Sequence, residues 1–157
     1  MSDQQQEGKN QQGGSQFALQ RIFLKDASFE SPGSPNSFKV AWKPKINLEL
    51  NTRHSLIEEK LWEVVLHLTI TVKNEQDENM YLVEVQQSGI FHLEGMDEET
   101  MKRTLGAFCP SVLFPYAREA VDALVVKGSY PALMLSPVNF DAIYDQSVLT
   151  QANNSIQ

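Results

Sequence analysis

Residues 61–72, LWEVVLHLTITV, alternate apolar and polar side chains with a period of two. Trp62, Val64, Leu66, Leu68, Ile70 and Val72 fall on one face, and Glu63, His67, Thr69 and Thr71 on the other. A helix, with a period of about 3.6 residues, would scatter both sets around its axis. The stretch reads as a strand with one buried face. Such a strand needs neighbours to pair its backbone and a second layer to cover its apolar side.

The flanking sequence supplies the neighbours. In 45–51, Ile46, Leu48 and Leu50 oppose Asn47, Glu49 and Asn51; in 80–93, Tyr81, Val83, Val85, Phe91 and Leu93 share one side. The run 17–30 is β-like but apolar on both faces in places, which predicts a bulge or a second contact surface. KNEQDEN (73–79) reads as a short polar turn and NTRHSLIEEK (51–60) as a modest hairpin loop. SPGSPNSFKVAWKP (31–44) is longer, with three prolines, yet carries Phe38 and Trp42. Three hairpin-linked strands and one joined by a long crossover predict a four-stranded antiparallel Greek-key sheet, with the first strand beside the fourth.

The covering layer follows in the second half. Asp97 caps a helical segment with Met101, Leu105 and Phe108 at helical spacing and Glu98 and Glu99 at its positive end. Pro110 is expected to break or kink it. A second segment resumes after Pro115 with an apolar stripe of Ala117, Ala120, Val121, Leu124 and Val125, and Gly128 stops it. SYPALMLSPV (129–138) is a neutral connector, and Asn139 caps a last helix carrying Phe140, Ile143, Tyr144 and Val148. The fold class is α+β, with helices on one face of the sheet. Residues 1–16 and 151–157 read as flexible tails around a single domain, 17–150.

Composition narrows the function. The chain has 157 residues, 41% of them hydrophobic and 21% charged, enough for one domain with a real core. A net charge of -7 with scattered Lys and Arg argues against nucleic-acid binding. The single Cys109 excludes an internal disulfide and fits a reducing compartment. MSDQQQEGKN lacks a signal-peptide pattern, and no stretch reaches the roughly 18 apolar residues of a membrane helix. A cytoplasmic protein without direct membrane insertion is expected.

Little points to catalysis. Cys109 has no nucleophile signature around it and reads as a small apolar residue beside a helix kink. His54, His67 and His92 show no metal spacing, and no phosphate-binding glycine loop is present, so neither metal nor cofactor is expected. What stands out is surplus apolar sequence. LGAFCPSVLFPYARE (105–119) has no charge from Leu105 to Ala117, and the connector and the Phe38/Trp42 crossover add more. One sheet under a few helices does not obviously cover all of it, so it reads either as a partner surface or as chain folded back on its own core.

LGAFCPSVLFPYARE, EVQQSGIFHLEG (84–95), SPVNFDAIYD (136–145) and FALQRIFLKDASFESP (17–32) strongly resemble SecB, the bacterial protein-export chaperone family. The resemblance runs in unbroken order from about residue 17 to 150, although the chain has no acid after Asp145 where many relatives end in an acidic tail. It implies a homotetramer, a dimer of dimers, that binds unfolded preproteins independently of ATP and passes them to the SecA ATPase. Asp26, Glu30, Leu82 and Glu84 match the positions that receive SecA. Val83, Val85 and Gln87 match positions that affect tetramer formation, and Cys109 and Leu113 belong to the helical layer implied to pack subunits together. For the client groove the candidates are Phe38, Trp42, Ile46, Leu48, Leu50, Tyr130, Leu133 and Leu135; plain core is the competing reading for Ile46, Leu48 and Leu50. A SecB-like chaperone dedicated to a toxin–antitoxin system would share the same fold.

Overall fold

In the computed structural model, which describes residues 14–156, the stretch 61–72 lies inside a four-stranded antiparallel sheet. The strands are β1 (Gln16–Glu30), β2 (Lys45–Glu58), β3 (Leu61–Lys73) and β4 (Asn79–Glu94), in the spatial order β1-β4-β3-β2. The first strand does lie beside the fourth. Most of the expected N-terminal tail falls outside the described residues, and β1 already begins at Gln16.

Period-two patterning sets the register. Val64, Leu66, Leu68, Ile70 and Val72 are fully buried and stand opposite Gly89, Gln87, Val85, Val83 and Tyr81 of β4. Burying each such aliphatic side chain contributes about 1.5–3 kcal/mol, and a one-residue slip would turn the whole set to the other face. β1 carries bulges between Leu19 and Arg21 and between Leu24 and Asp26, as its two-sided apolar pattern predicts. At the second bulge Lys25 reaches Glu63 at 2.8 Å, and Ser88 donates to the same carboxylate at 2.9 Å. The Lys25 ammonium holds the Glu63 carboxyl below the usual range, with Ser88 adding to the effect against partial burial.

The expected hairpin loop at 51–60 is a correction. β2 continues to Glu58, and the connection is the two residues Glu59 and Lys60, with Lys60 at φ 66°. Residues 51–58 pair along β3 as far as Leu61, so their polar composition marks an exposed edge strand rather than a loop. At the next hairpin the Asn74 side chain accepts from the N–H groups of Gln76 and Glu78, which folds the polar turn.

The helical layer also differs from the reading in two segments. α1 (Glu98–Arg103), a π-helical turn (Thr104–Phe108) and α2 (Cys109–Lys127) form one continuous helix. Pro110 cannot donate to the fourth carbonyl before it; the chain widens by one residue just upstream, where the Cys109 N–H donates to Thr104. Asp97 caps the start, accepting from Thr100 at 2.7 Å. α2 ends at Gly128, but not through a left-handed glycine cap: a Cβ there would lie 2.3 Å from the Phe29 ring, so contact with β1 demands glycine. The left-handed residue is Ser129, at φ 66°. α3 (Phe140–Asn154) is capped by Asn139 and runs past residue 150, because no Gly or Pro interrupts it. Among the described residues no helix is long and apolar enough to cross a membrane.

Candidate functional site: an apolar trough and an acidic sheet face

The helical layer does not cover the sheet evenly. α2 lies over β4 and β3 and touches β1, whereas β2 meets the helices mainly at the π-helical turn. Ile46 and Leu48 stand directly opposite Val72 and Ile70, on the same face, yet Ile46 is 49% exposed while Val72 is fully buried. They form an open apolar strip along the sheet edge, and the plain-core reading fails for them because the layer stops short. Leu50 is half-buried against the core.

At one end of the strip the crossover delivers Phe38 and Trp42, 50% and 38% exposed. Both rings rest on Tyr130, with centroids 5.3 and 5.8 Å away. Tyr130 is itself buried, so it is the floor beneath these aromatics rather than an open wall. Its hydroxyl meets Ser31 at 2.7 Å and Ser37 at 2.8 Å and lies 3.3 Å from the Met80 carbonyl, which ties crossover, connector and sheet together. Leu133 and Leu135 are half-buried with their side chains packed on the core. Each keeps part of its surface exposed.

Toward the other end, Leu50, Thr52 and His54 face Ile143, Tyr144 and Val148 of α3 across an open groove of about 1230 Å³. From Ile46 to His54 an extended chain spans about 26 Å, at about 3.3 Å per residue. The α3 wall escaped the sequence reading. Its signal was an acid pair at helical spacing: Arg103 binds Asp145 at 2.6 Å and Asp141 at 3.4 Å, and stacks 4.8 Å over the Tyr144 ring. Gly106 permits the approach, since a Cβ there would sit 2.7 Å from Tyr144.

The opposite face of the sheet brings the acidic candidates together. Glu30 pairs with Leu82 and Ser28 with Glu84, while Asp26 sits two pairs beyond Ser28, opposite Gln86. All four residues therefore share the face turned away from the helices. His67, which the sequence reading left as a plain polar-face residue, joins them 3.7 Å from Glu84.

The candidates for subunit contact are placed otherwise than expected. Val83, Val85, Cys109 and Leu113 are fully buried in the chain's own core, and Gln87 is 5% exposed with its amide donating to the Phe23 carbonyl. β4 is a central strand roofed by α2, so none of these side chains offers surface to another molecule. Of the neutral run, Leu105, Ala107, Cys109, Leu113, Phe114 and Ala117 point inward; Phe108 and Tyr116 point out and are about half exposed. It is core of the single chain on one side and free apolar surface on the other. Burial pushes the Cys109 thiol up to about 12, which leaves almost no thiolate near neutrality. Alkylation at pH 8 is expected to be negligible in the native protein and complete within minutes in denaturant; rapid native labelling, read by mass spectrometry, would refute this placement.

Comparison with known proteins gives a consistent picture. Residues 9–151 match the family described as preprotein translocase subunit SecB. The protein-export protein SecB of Pseudomonas paraeruginosa is 54% identical over 148 residues, covering 94% of this chain and 91% of that protein. The protein of the same name from Hahella chejuensis is 57% identical over 135 residues, covering 86% and 84%. In fold, the chain is similar to the Mycobacterium tuberculosis SecB-like chaperone Rv1957, solved with a ChAD peptide from the HigA1 antitoxin. The TM-score is 0.66 at 20% identity, over 78% of this chain and 90% of that one.

Proposed function

This chain belongs to the SecB family and is a protein-export chaperone; from that premise we propose that it holds unfolded preproteins in the trough along β2, without ATP, in the cytoplasm, and passes them to the SecA ATPase. The observation that carries the reading is the exposed apolar strip of Phe38, Trp42, Ile46 and Leu48. A receptor for unfolded chains needs apolar area of low conformational entropy and no sequence-specific readout, which aromatic and aliphatic side chains on a rigid strand supply. That a SecB-like chaperone of similar fold was solved with a peptide supports the use of this fold for peptide ligands. Export is favoured over a dedicated toxin–antitoxin role, because the relatives at 54–57% identity are protein-export proteins.

The activity is binding rather than catalysis, and the buried, protonated Cys109 supports that reading. Assembly into a homotetramer, a dimer of dimers, would use surface that the single chain leaves bare. Phe108, Tyr116 and Val126 on the outward side of the long helix, with Leu24 on the edge strand β1, are each at least half exposed. Large apolar groups left exposed in this way on one subunit fit an interface between copies.

The acidic sheet face is the proposed SecA dock. Its carboxylates carry like charge on neighbouring strands, an arrangement that a basic partner would relieve. Slowed aggregation of a diluted, unfolded preprotein tests the holding activity, and calorimetric titration with SecA tests the dock. Asp26→Asn combined with Glu84→Gln is expected to keep client holding while weakening SecA binding about tenfold at low salt. The wild-type interaction should itself weaken above about 0.1 M salt, where screening acts within about 10 Å. Equal affinities for wild type and the double variant would rule the dock out.

A further inference from the structure

The face of the sheet turned away from the helices is partly roofed by its own side chains. Val65 and Ser88 lie on that face, and both are buried. Two long cationic side chains cross the central strands beside them. Lys25 of β1 spans β4 to reach Glu63 on β3 at 2.8 Å, and Ser88 donates to the same carboxylate. Arg53 of β2 spans β3 to reach β4, where its guanidinium donates to the Gln86 side-chain oxygen at 2.8 Å. Arg53 stands opposite Val65, so its aliphatic stem begins over that residue.

The two cations differ in what they meet. Lys25 is neutralised by Glu63. Arg53 is bonded to a neutral amide, and among the described residues it makes no ion pair. The place where it is held is the middle of the acidic face. Gln86 stands opposite Asp26 of β1 and opposite His67 of β3. Glu84 lies two residues away on the same strand and the same face, about 7 Å along it. The carboxylates proposed to receive SecA therefore surround a cation of the chain's own.

We propose that Arg53 is a specificity-determining residue of this dock. It is a fixed cation beside Asp26 and Glu84 that disfavours an unbroken run of cations and favours a basic segment with a carboxylate at its centre. A guanidinium carries five N–H donors in a planar fork, and the Gln86 oxygen takes one. The others suit a carboxylate of the partner, which a guanidinium binds better than a neutral acceptor. A lysine of the partner placed there would meet like charge instead. The dock thus selects by the order of charges in its partner as well as by their sum.

The inference rests on the acidic dock proposed above, and its test separates the two. Two dye-labelled peptides, each of four lysines around a central residue, are titrated by fluorescence anisotropy at pH 8 and low salt. The central residue is glutamine in one and glutamate in the other. Arg53→Gln is expected to bind the glutamine peptide about threefold more tightly than wild type does, because a nearby cation is gone. Exchanging glutamine for glutamate should cost the variant about threefold more affinity than it costs wild type. Both differences should vanish near 1 M salt, where the screening length is about 3 Å. Arg53→Met, which keeps an aliphatic stem over Val65, should give the same result and serves if Arg53→Gln does not fold. Equal affinity of wild type and variant for the glutamine peptide, or an equal glutamate penalty in both, overturns the inference. If Asp26→Asn combined with Glu84→Gln binds the glutamine peptide as tightly as wild type does, the dock itself is overturned.

Discussion

Val85→Asp is expected to destroy the fold rather than split an assembly. Val85 is fully buried, between Leu68 of β3 and Ala27 of β1, in the sheet region covered by α2. Among the described residues, no buried cation is there for a lone carboxylate to pair with. Leaving such a charge uncompensated costs on the order of 3–5 kcal/mol, against a total stability of about 5–15 kcal/mol for a domain. Far-ultraviolet circular dichroism with urea titration should show loss of the cooperative transition, or a midpoint far below wild type. Val126→Asp is the matched control: the same charge on the outward side of α2, at a residue 56% exposed. It should leave the unfolding midpoint almost unchanged while lowering the mass seen by light scattering. A folded Val85→Asp protein of halved mass would instead place Val85 at a subunit boundary.

Trp42→Ala is expected to weaken client binding about thirtyfold, the scale of a hot-spot aromatic worth about 2 kcal/mol. The indole is 38% exposed and lies on the Tyr130 ring, so truncation removes contact area from the trough and opens no sealed cavity. Stability should fall by about 1 kcal/mol or less, because the buried hydroxyl contacts of Tyr130 with Ser31, Ser37 and Met80 persist. Urea unfolding and anisotropy with an unfolded preprotein measure the two quantities separately. A stability loss of about 3 kcal/mol or more would make Trp42 a core residue, and unchanged affinity would remove it from the trough.

Both expectations turn on a distinction that strand parity does not carry. Ile46 and Val83 lie on the same face of one sheet, in neighbouring rows, and their sequence contexts look alike. One is half exposed and the other sealed. The difference is distance from α2, which no local pattern encodes. The acidic face was legible by contrast, because antiparallel pairing brings residues of matched parity together wherever the strands neighbour each other. His67 was missed there because its place beside Glu84 depends on the β3–β4 register.

The sequence by itself determined β1, β3, β4 and the first half of β2, the apolar faces of β3 and β4, the caps at Asp97 and Asn139, and the placing of β1 beside β4. Each follows from interactions over a few residues or from the reach of a connection, so periodicity and turn chemistry suffice. Tertiary structure alone decided that the helix runs through Pro110, that Gly128 is required by contact with Phe29 and not by a left-handed cap, and that Tyr130 is a floor. It also decided that Val83, Val85, Cys109 and Leu113 belong to the chain's own core while Ile46 and Leu48 stay open. Burial is a property of what lies several ångströms away in space. The α2 helix is wide enough to roof three strands of this sheet and leaves the fourth largely uncovered.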